Sequence, residues 1–314
     1  MRQTSCFRKI GVGLALGLAR SVPAYAKKKP VPPGPHQAYD ARAEIVVKDV
    51  PYVPGSKNPK HRLDVYSNPH EGLWPAVVMI HGGGWIKGTK SYDNKVWICQ
   101  VLANHGYVVF TIDYRLAPWT KLQGQAEDAM SAVIWVKEHA REYGGDPTRV
   151  GVTGGSAGGH LGALVAWASD DPYFVPTGRK GSDLDSDVRA AALFYPVLDL
   201  DQTLQENTKG FTPVARLLLV GKVGKSYRKA LDHLSPSNEL DASDPPTLFL
   251  TGDADELDLY PQSVAYAEKL KALGIDGRLY TAHGKMHGFT WQYWEPESTG
   301  AVAAAVKLFD QYLK

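Results

Sequence analysis

Between Thr153 and Leu161 the chain reads T-G-G-S-A-G-G-H-L, one hydroxyl, Ser156, set among four glycines and an alanine. Glycine accepts strained backbone but loses more conformational freedom on folding than any other residue, so four so close together need a reason. G-x-S-x-G where a strand gives way to a helix supplies it: the chain turns sharply, lifts the hydroxyl, and points the next helix's N-terminal amides at the same place. A serine raised in this way can attack a carbonyl if a base takes its proton and an acid orients the base. Two histidines, His283 and His287, lie in A-H-G-K-M-H-G-F, and three acids, Asp253, Asp255 and Glu256, follow T-L-F-L-T-G. The order along the chain is therefore serine, acid, histidine, which is neither the chymotrypsin nor the subtilisin order. Spacing alone leaves the choice of acid and of histidine open.

Attack on a carbonyl also creates an oxyanion, and H-G-G-G-W at 81–85 offers donors for it. Successive glycines after a strand can aim backbone N–H groups into a cleft, so Gly83 and Gly84 are the expected donors, with Ala157, next after the nucleophile, as a third. No G-K-[ST] follows, which argues against a phosphate loop. His160 lies one turn beyond Ser156 on the same helix, points along that helix, and is read as structural. Each motif alone has an ordinary structural explanation, as a close-packed turn, a solvated acidic loop or a surface histidine. Their weight comes from occurring together, in order, at strand ends.

Those ends require a particular scaffold. Short apolar runs rich in β-branched residues at Pro75–Ile80, Tyr107–Ile112 and Arg149–Thr153 read as buried strands, preceded by a hairpin from Ala43–Val47 and Arg62–Tyr66. Ala126, Ala129, Met130, Val133, Val136 and Ala140 recur at helical spacing, with Gly144 and Gly145 ending the pattern. Alternation resumes with strands at Val188–Tyr195, Thr247–Leu250 and Asp276–Tyr280, a helix at Val264–Leu273, and a last helix from about Thr299 to Leu313. Such an order predicts a mostly parallel central sheet with helices on both faces. The connection from about residue 199 to 237, after the sixth strand, is too long for a simple turn. It holds a helix-like stretch, Pro213–Val220, and is expected to be a short cap.

Composition fits one globular domain of residues 43–314: of 314 residues, 44% are hydrophobic and 22% charged. The N-terminus differs. Arg2, Arg8 and Lys9 precede an apolar run from Ile10 to Leu18, and Ala24-Tyr25-Ala26 supplies small residues, the layout of a secretory signal peptide cleaved after Ala26. The run is far shorter than the roughly 20 residues of a membrane span. Residues 1–26 hold four cations and no acid, so their removal takes the formal charge from +2 to about −2. Residues 27–42 then form a Pro-rich leader, and no basic stripe suggests nucleic acid. Cys6 leaves with the signal, so Cys99 has no intramolecular partner. A secreted or periplasmic location is expected, with no metal or cofactor, and with the oligomeric state left open.

The chain resembles the α/β-hydrolase serine esterases of the hormone-sensitive-lipase and feruloyl/acetyl-xylan esterase neighbourhood. The resemblance rests on H-G-G-G-W at 81–85, D-Y-R-L-A-P at 113–118, G-G-S-A-G-G at 154–159, G-D-A-D-E-L at 252–257 and H-G-F at 287–289. It implies an α/β-hydrolase fold, Ser156 as nucleophile, Asp255 as acid and His287 as base. Two features depart from the lipase branch: the elbow has Gly155 where Asp is common, and no sizeable N-terminal cap precedes the first strand. The implied activity is carboxylesterase action on short acyl groups of a small ester or an acylated carbohydrate, such as acetyl or feruloyl groups on plant polysaccharides. Trp85, Trp119, Trp291 and Trp294 flank the motif loops and offer faces for sugar or phenolic rings. The alternatives are an arylformamidase-like amidase and a non-enzymatic binding protein on the same fold.

Overall fold

The computed structural model describes residues 44–180, 184–206 and 213–314. The signal peptide and the Pro-rich leader expected at 1–26 and 27–42 lie outside the described residues. Eight strands form one sheet in the order β1-β2-β4-β3-β5-β6-β7-β8: β1 Glu44–Pro51, β2 Arg62–Ser67, β3 Trp74–Ile80, β4 Val108–Ile112, β5 Gly145–Gly155, β6 Ala190–Phe194, β7 Thr247–Gly252 and β8 Gly277–Ala282. β2 is antiparallel to both β1 and β4, and every other neighbouring pair is parallel. This is the expected α/β-hydrolase architecture.

The sheet is buried on both faces, which is why its central strands are continuous apolar runs rather than alternating ones. Along β3, Ala76, Val78 and Ile80 enter one core while Val77 and Met79 enter the other, the period-two alternation of a pleated strand. Helices α2 (Leu122–His139) and α3 (Ala157–Trp167) cover the first face. Helices α1 (Asp93–Asn104) and α9 (Pro296–Leu313) cover the second. The periodic apolar set of α2, from Ala126 to Val136, is buried in the first core as its spacing requires, together with Ala140 in the turn that follows. Gly144, in the left-handed region at φ 78°, stops the turn after α2, whereas Gly145 already belongs to β5.

The connection between β6 and β7 includes the stretch expected as a cap at 199–237. It contains α4 (Leu200–Glu206), α5 (Pro213–Val220), α6 (Gly224–Leu234) and α7 (Pro236–Glu239). Leu219 and Val220 of α5 are buried, while Val214 and Leu217 are exposed. The last helix before β8 is α8, Leu259–Ala272. Among the described residues no helix is long and apolar enough to cross a membrane.

Candidate active site

β5 ends at Gly155 and α3 begins at Ala157, so Ser156 is the single residue on which the chain reverses, with φ 58° and ψ −122°. A non-glycine residue held in that region stores strain, and it persists because the surroundings dictate it. Ser156 N–H donates to Phe194 O at the end of β6 (3.0 Å), and His160 N–H donates back to Ser156 O (2.9 Å). The helix lies so close to the sheet that a Cβ on Gly158 would stand 2.2 Å from Ile80 O, so any side chain there would push α3 off β3. That contact requires Gly158, and a Cβ on Gly159 would stand 3.0 Å from Pro196, just beyond β6.

The loop after β8 brings His287 over this turn. Its Nε2 lies 2.9 Å from Ser156 Oγ, and its Nδ1 lies 2.9 Å from Asp255 Oδ2. The Asp255 carboxylate is fully buried, and its Oδ1 accepts Leu257 N–H at 2.9 Å. A carboxylate at Nδ1 dictates the tautomer: Nδ1–H donates to Asp255, leaving Nε2 to accept the serine proton. The other acids and histidine go elsewhere. Asp253 accepts from His283 Nδ1 (2.9 Å) and Gly284 N–H (2.6 Å) on the surface, where the His283 side chain is 83% exposed. Glu256 Oε2 accepts His287 N–H at 2.9 Å and so anchors the backbone of the histidine rather than its ring.

On the opposite side, Gly83 has φ 125° and Gly84 φ 60°, and Gly83 O accepts Ile86 and Lys87 N–H in a tight turn. Among the described residues, no hydrogen bond takes up the N–H of Gly83, Gly84 or Ala157. Ala157 is the first residue of α3, whose leading amides have no partner within the helix. The D-Y-R segment supports the same loop: the Tyr114 ring stacks on His81 at 4.3 Å, and its hydroxyl donates to His81 O at 3.0 Å.

Several neighbours had no signal in the sequence. Tyr195, with φ 36°, sets its ring against the His287 imidazole at 4.9 Å, while its hydroxyl hydrogen-bonds with Thr290 Oγ1, which also accepts from Asn94 Nδ2. Lys95 is buried beside Gly155 and Tyr195, where a Cβ on Gly155 would stand 2.9 Å from its Nζ, and burial pushes its ammonium down to about 8. The bare elbow position thus leaves room for a lysine that only the fold brings there. Of the four flanking tryptophans, Trp85 is buried, whereas Trp119 (92%), Trp291 (43%) and Trp294 (59%) are exposed.

A polar pocket of about 280 Å³ lies within the insert, lined among others by Asp199, Asp201, Asp232 and Asn238, and contains none of the residues around Ser156. Among the described residues, Asp171, His233 and Glu239 are close enough to share a cation, but His233 Nδ1 lies 2.8 Å from Asp171 Oδ2, an ordinary imidazole-to-carboxylate hydrogen bond.

His160 is fully buried, and burial pushes its ring down to about 4 despite the hydrogen bond to Leu234 O. An exposed histidine in the unfolded chain titrates near 6.5, so between those values the unfolded state binds more protons and stability rises with pH. His160's contribution is full above about 6.5 and is lost as the pH falls towards 4, on the order of 3 kcal/mol in all. Urea melts between pH 7 and 4 should show a steeper acid loss for the wild type than for His160→Asn. Parallel curves would contradict this.

The family model described as BD-FAE matches residues 63–270. Among curated proteins, a probable carboxylic ester hydrolase of Mycobacterium tuberculosis, LipM, is 30% identical over 235 residues, covering 74% of this chain and 53% of that protein. The chain spans about half the length of such curated relatives. Among solved structures, the apo form of Thermogutta terrifontis esterase 2 superimposes with a TM-score of 0.68 at 28% identity, covering 86% of this chain and 94% of that one. A truncated carbohydrate esterase from gut microbiota reaches 0.72 at 22% identity, covering 87% and 97%, a likeness of fold.

Proposed function

Because the chain belongs to the BD-FAE family, we propose that it is a serine carboxylic ester hydrolase acting on short acyl groups. The observation that carries this reading is the hydrogen-bonded sequence Ser156 Oγ, His287 Nε2, His287 Nδ1, Asp255 Oδ2, with 2.9 Å at each link. In the proposed reaction Ser156 Oγ attacks the ester carbonyl as its proton passes to His287 Nε2, and Asp255 stabilises the imidazolium through Nδ1–H. The carbonyl oxygen becomes an oxyanion facing the N–H groups of Gly83, Gly84 and Ala157. Collapse breaks the bond to the alcohol, which leaves with the proton from Nε2. Water, deprotonated by the same nitrogen, then releases the acid and restores Ser156.

The surroundings support a small acyl group on a polar or ring-bearing alcohol. Leu219 and Val220 at the end of α5 are turned into the core and so are not available to line a fatty tunnel. Trp119 follows Ala117, whose N–H donates to Trp85 O at 2.9 Å beside the glycine loop. Trp291 lies four residues after His287 and meets Tyr92 edge-on at 5.2 Å. Exposed indoles on both flanks suit sugar or phenolic rings, so acetyl or feruloyl groups on carbohydrates are the proposed natural targets. The leader pattern supports export, which a mature N-terminus at Lys27 would establish. With p-nitrophenyl esters from acetate to palmitate, kcat/KM is expected to be highest between acetate and butyrate. A maximum at decanoate or longer would overturn the short-acyl reading, and no turnover of any ester would overturn the esterase reading.

A further inference from the structure

One imidazole joins the turn at Ser156, the glycine loop and the end of the insert. His160 Nδ1 lies 3.2 Å from the indole Nε1 of Trp85, and its Nε2 lies 2.8 Å from the carbonyl oxygen of Leu234, the last residue of α6. An indole N–H can only donate and a carbonyl can only accept, so a single protonation pattern satisfies both partners: a neutral ring with the proton on Nε2. The Leu234 carbonyl is one of the last four that α6 leaves without an internal partner, so it is free to fix that tautomer. The relation repeats what Asp255 does for His287, with the two nitrogens in exchanged roles.

What the ring holds is the base of the oxyanion loop. Trp85 directly follows Gly84, has φ 63°, and meets the His160 ring edge to face at 5.3 Å. Its carbonyl accepts both Ala117 N–H (2.9 Å) and Gln125 Nε2–H (3.1 Å), while Ile86 and Lys87 N–H return to Gly83 O. The turn that carries the Gly83 and Gly84 amides therefore hangs from Trp85, and the indole N–H of Trp85 bonds to His160. We infer that His160 is a positioning residue for the oxyanion-binding amides, acting through Trp85, with its tautomer set by the end of α6. This rests on the ester-hydrolase reading above.

Two substitutions separate the bonds. Asparagine places an amide oxygen near the position of Nδ1, so His160→Asn keeps an acceptor for Trp85 that needs no second partner to remain one. Glutamine reaches the Leu234 carbonyl instead and gives up Trp85. Trp85→Phe removes the donor from the other side. Oxyanion donors act on the transition state, so their misplacement lowers kcat and leaves KM nearly unchanged. His160→Gln and Trp85→Phe should each lose about 10- to 100-fold in kcat on p-nitrophenyl acetate with KM within about threefold, and the double variant should be no worse than the poorer single. His160→Asn should recover most of the kcat lost in His160→Gln. Near-UV circular dichroism and fluorophosphonate labelling of Ser156 count the folded, competent sites. The inference falls if folded His160→Gln and Trp85→Phe keep kcat within about twofold of wild type, or if His160→Asn loses as much as His160→Gln. Full activity in Ser156→Ala would instead overturn the serine mechanism on which this inference rests, and no turnover of any ester by the wild type would overturn the ester-hydrolase reading itself.

Discussion

Replacing Ser156 with alanine should lower kcat by roughly 10⁴-fold or more, with the protein still folded. The side chain is only partly buried, and deleting one oxygen leaves no large cavity. The strained backbone at φ 58° is fixed by the bonds of Ser156 N–H to Phe194 O and of His160 N–H to Ser156 O, and alanine keeps both. What disappears is the covalent step. Residual turnover would come from water attacking an ester held against the Gly83, Gly84 and Ala157 amides, a route that still has electrostatic help but no activated nucleophile. The measurement is kcat on p-nitrophenyl acetate beside a thermal melt. A folded variant with a tenth of wild-type activity would remove Ser156 from the mechanism.

The second large effect concerns the carboxylate. Asp255→Asn should cost about 10⁴-fold in kcat, because the amide can keep its oxygen on Leu257 N–H only by turning its NH₂ towards His287. A donor then faces Nδ1–H, the imidazole shifts its proton to Nε2, and Nε2 can no longer accept from Ser156. Asp253→Asn should leave kcat within about twofold, since that carboxylate serves only the surface pair with His283 and the Gly284 amide. The reverse pattern, Asp253→Asn crippled and Asp255→Asn active, would mean that the loop adopts another arrangement in solution. Because the two positions share one short turn, the comparison also controls for general loosening of the loop.

The roles of sequence and fold divide along physical lines. Strands and helices around the site were legible because their signals are local: β-branched apolar runs made β3, β4 and the end of β5, and the 3.6-residue spacing from Ala126 to Val136 made α2. The elbow was legible for the same reason, since glycines packed around one serine reflect a contact between adjacent elements, as Gly158 against Ile80 shows. Helix α1 was missed. Its apolar residues, Trp97, Ile98, Cys99, Val101, Leu102 and Ala103, form a near-continuous run because the helix is buried on several sides, and such a run has no clear period. Asp253 and Asp255 could not be separated by spacing, nor His283 from His287, because both choices depend on how two loops from β7 and β8 meet. The motif resemblance pointed to Asp255 and His287, and the fold brings that pair together over Ser156 while sending the other to the surface. The burial of Trp85, the bridge at His160 and the lysine beneath Gly155 join residues 60 to 75 positions apart. No local pattern records such contacts, because they exist only once strands distant in sequence lie side by side in the sheet and the helices close over its faces.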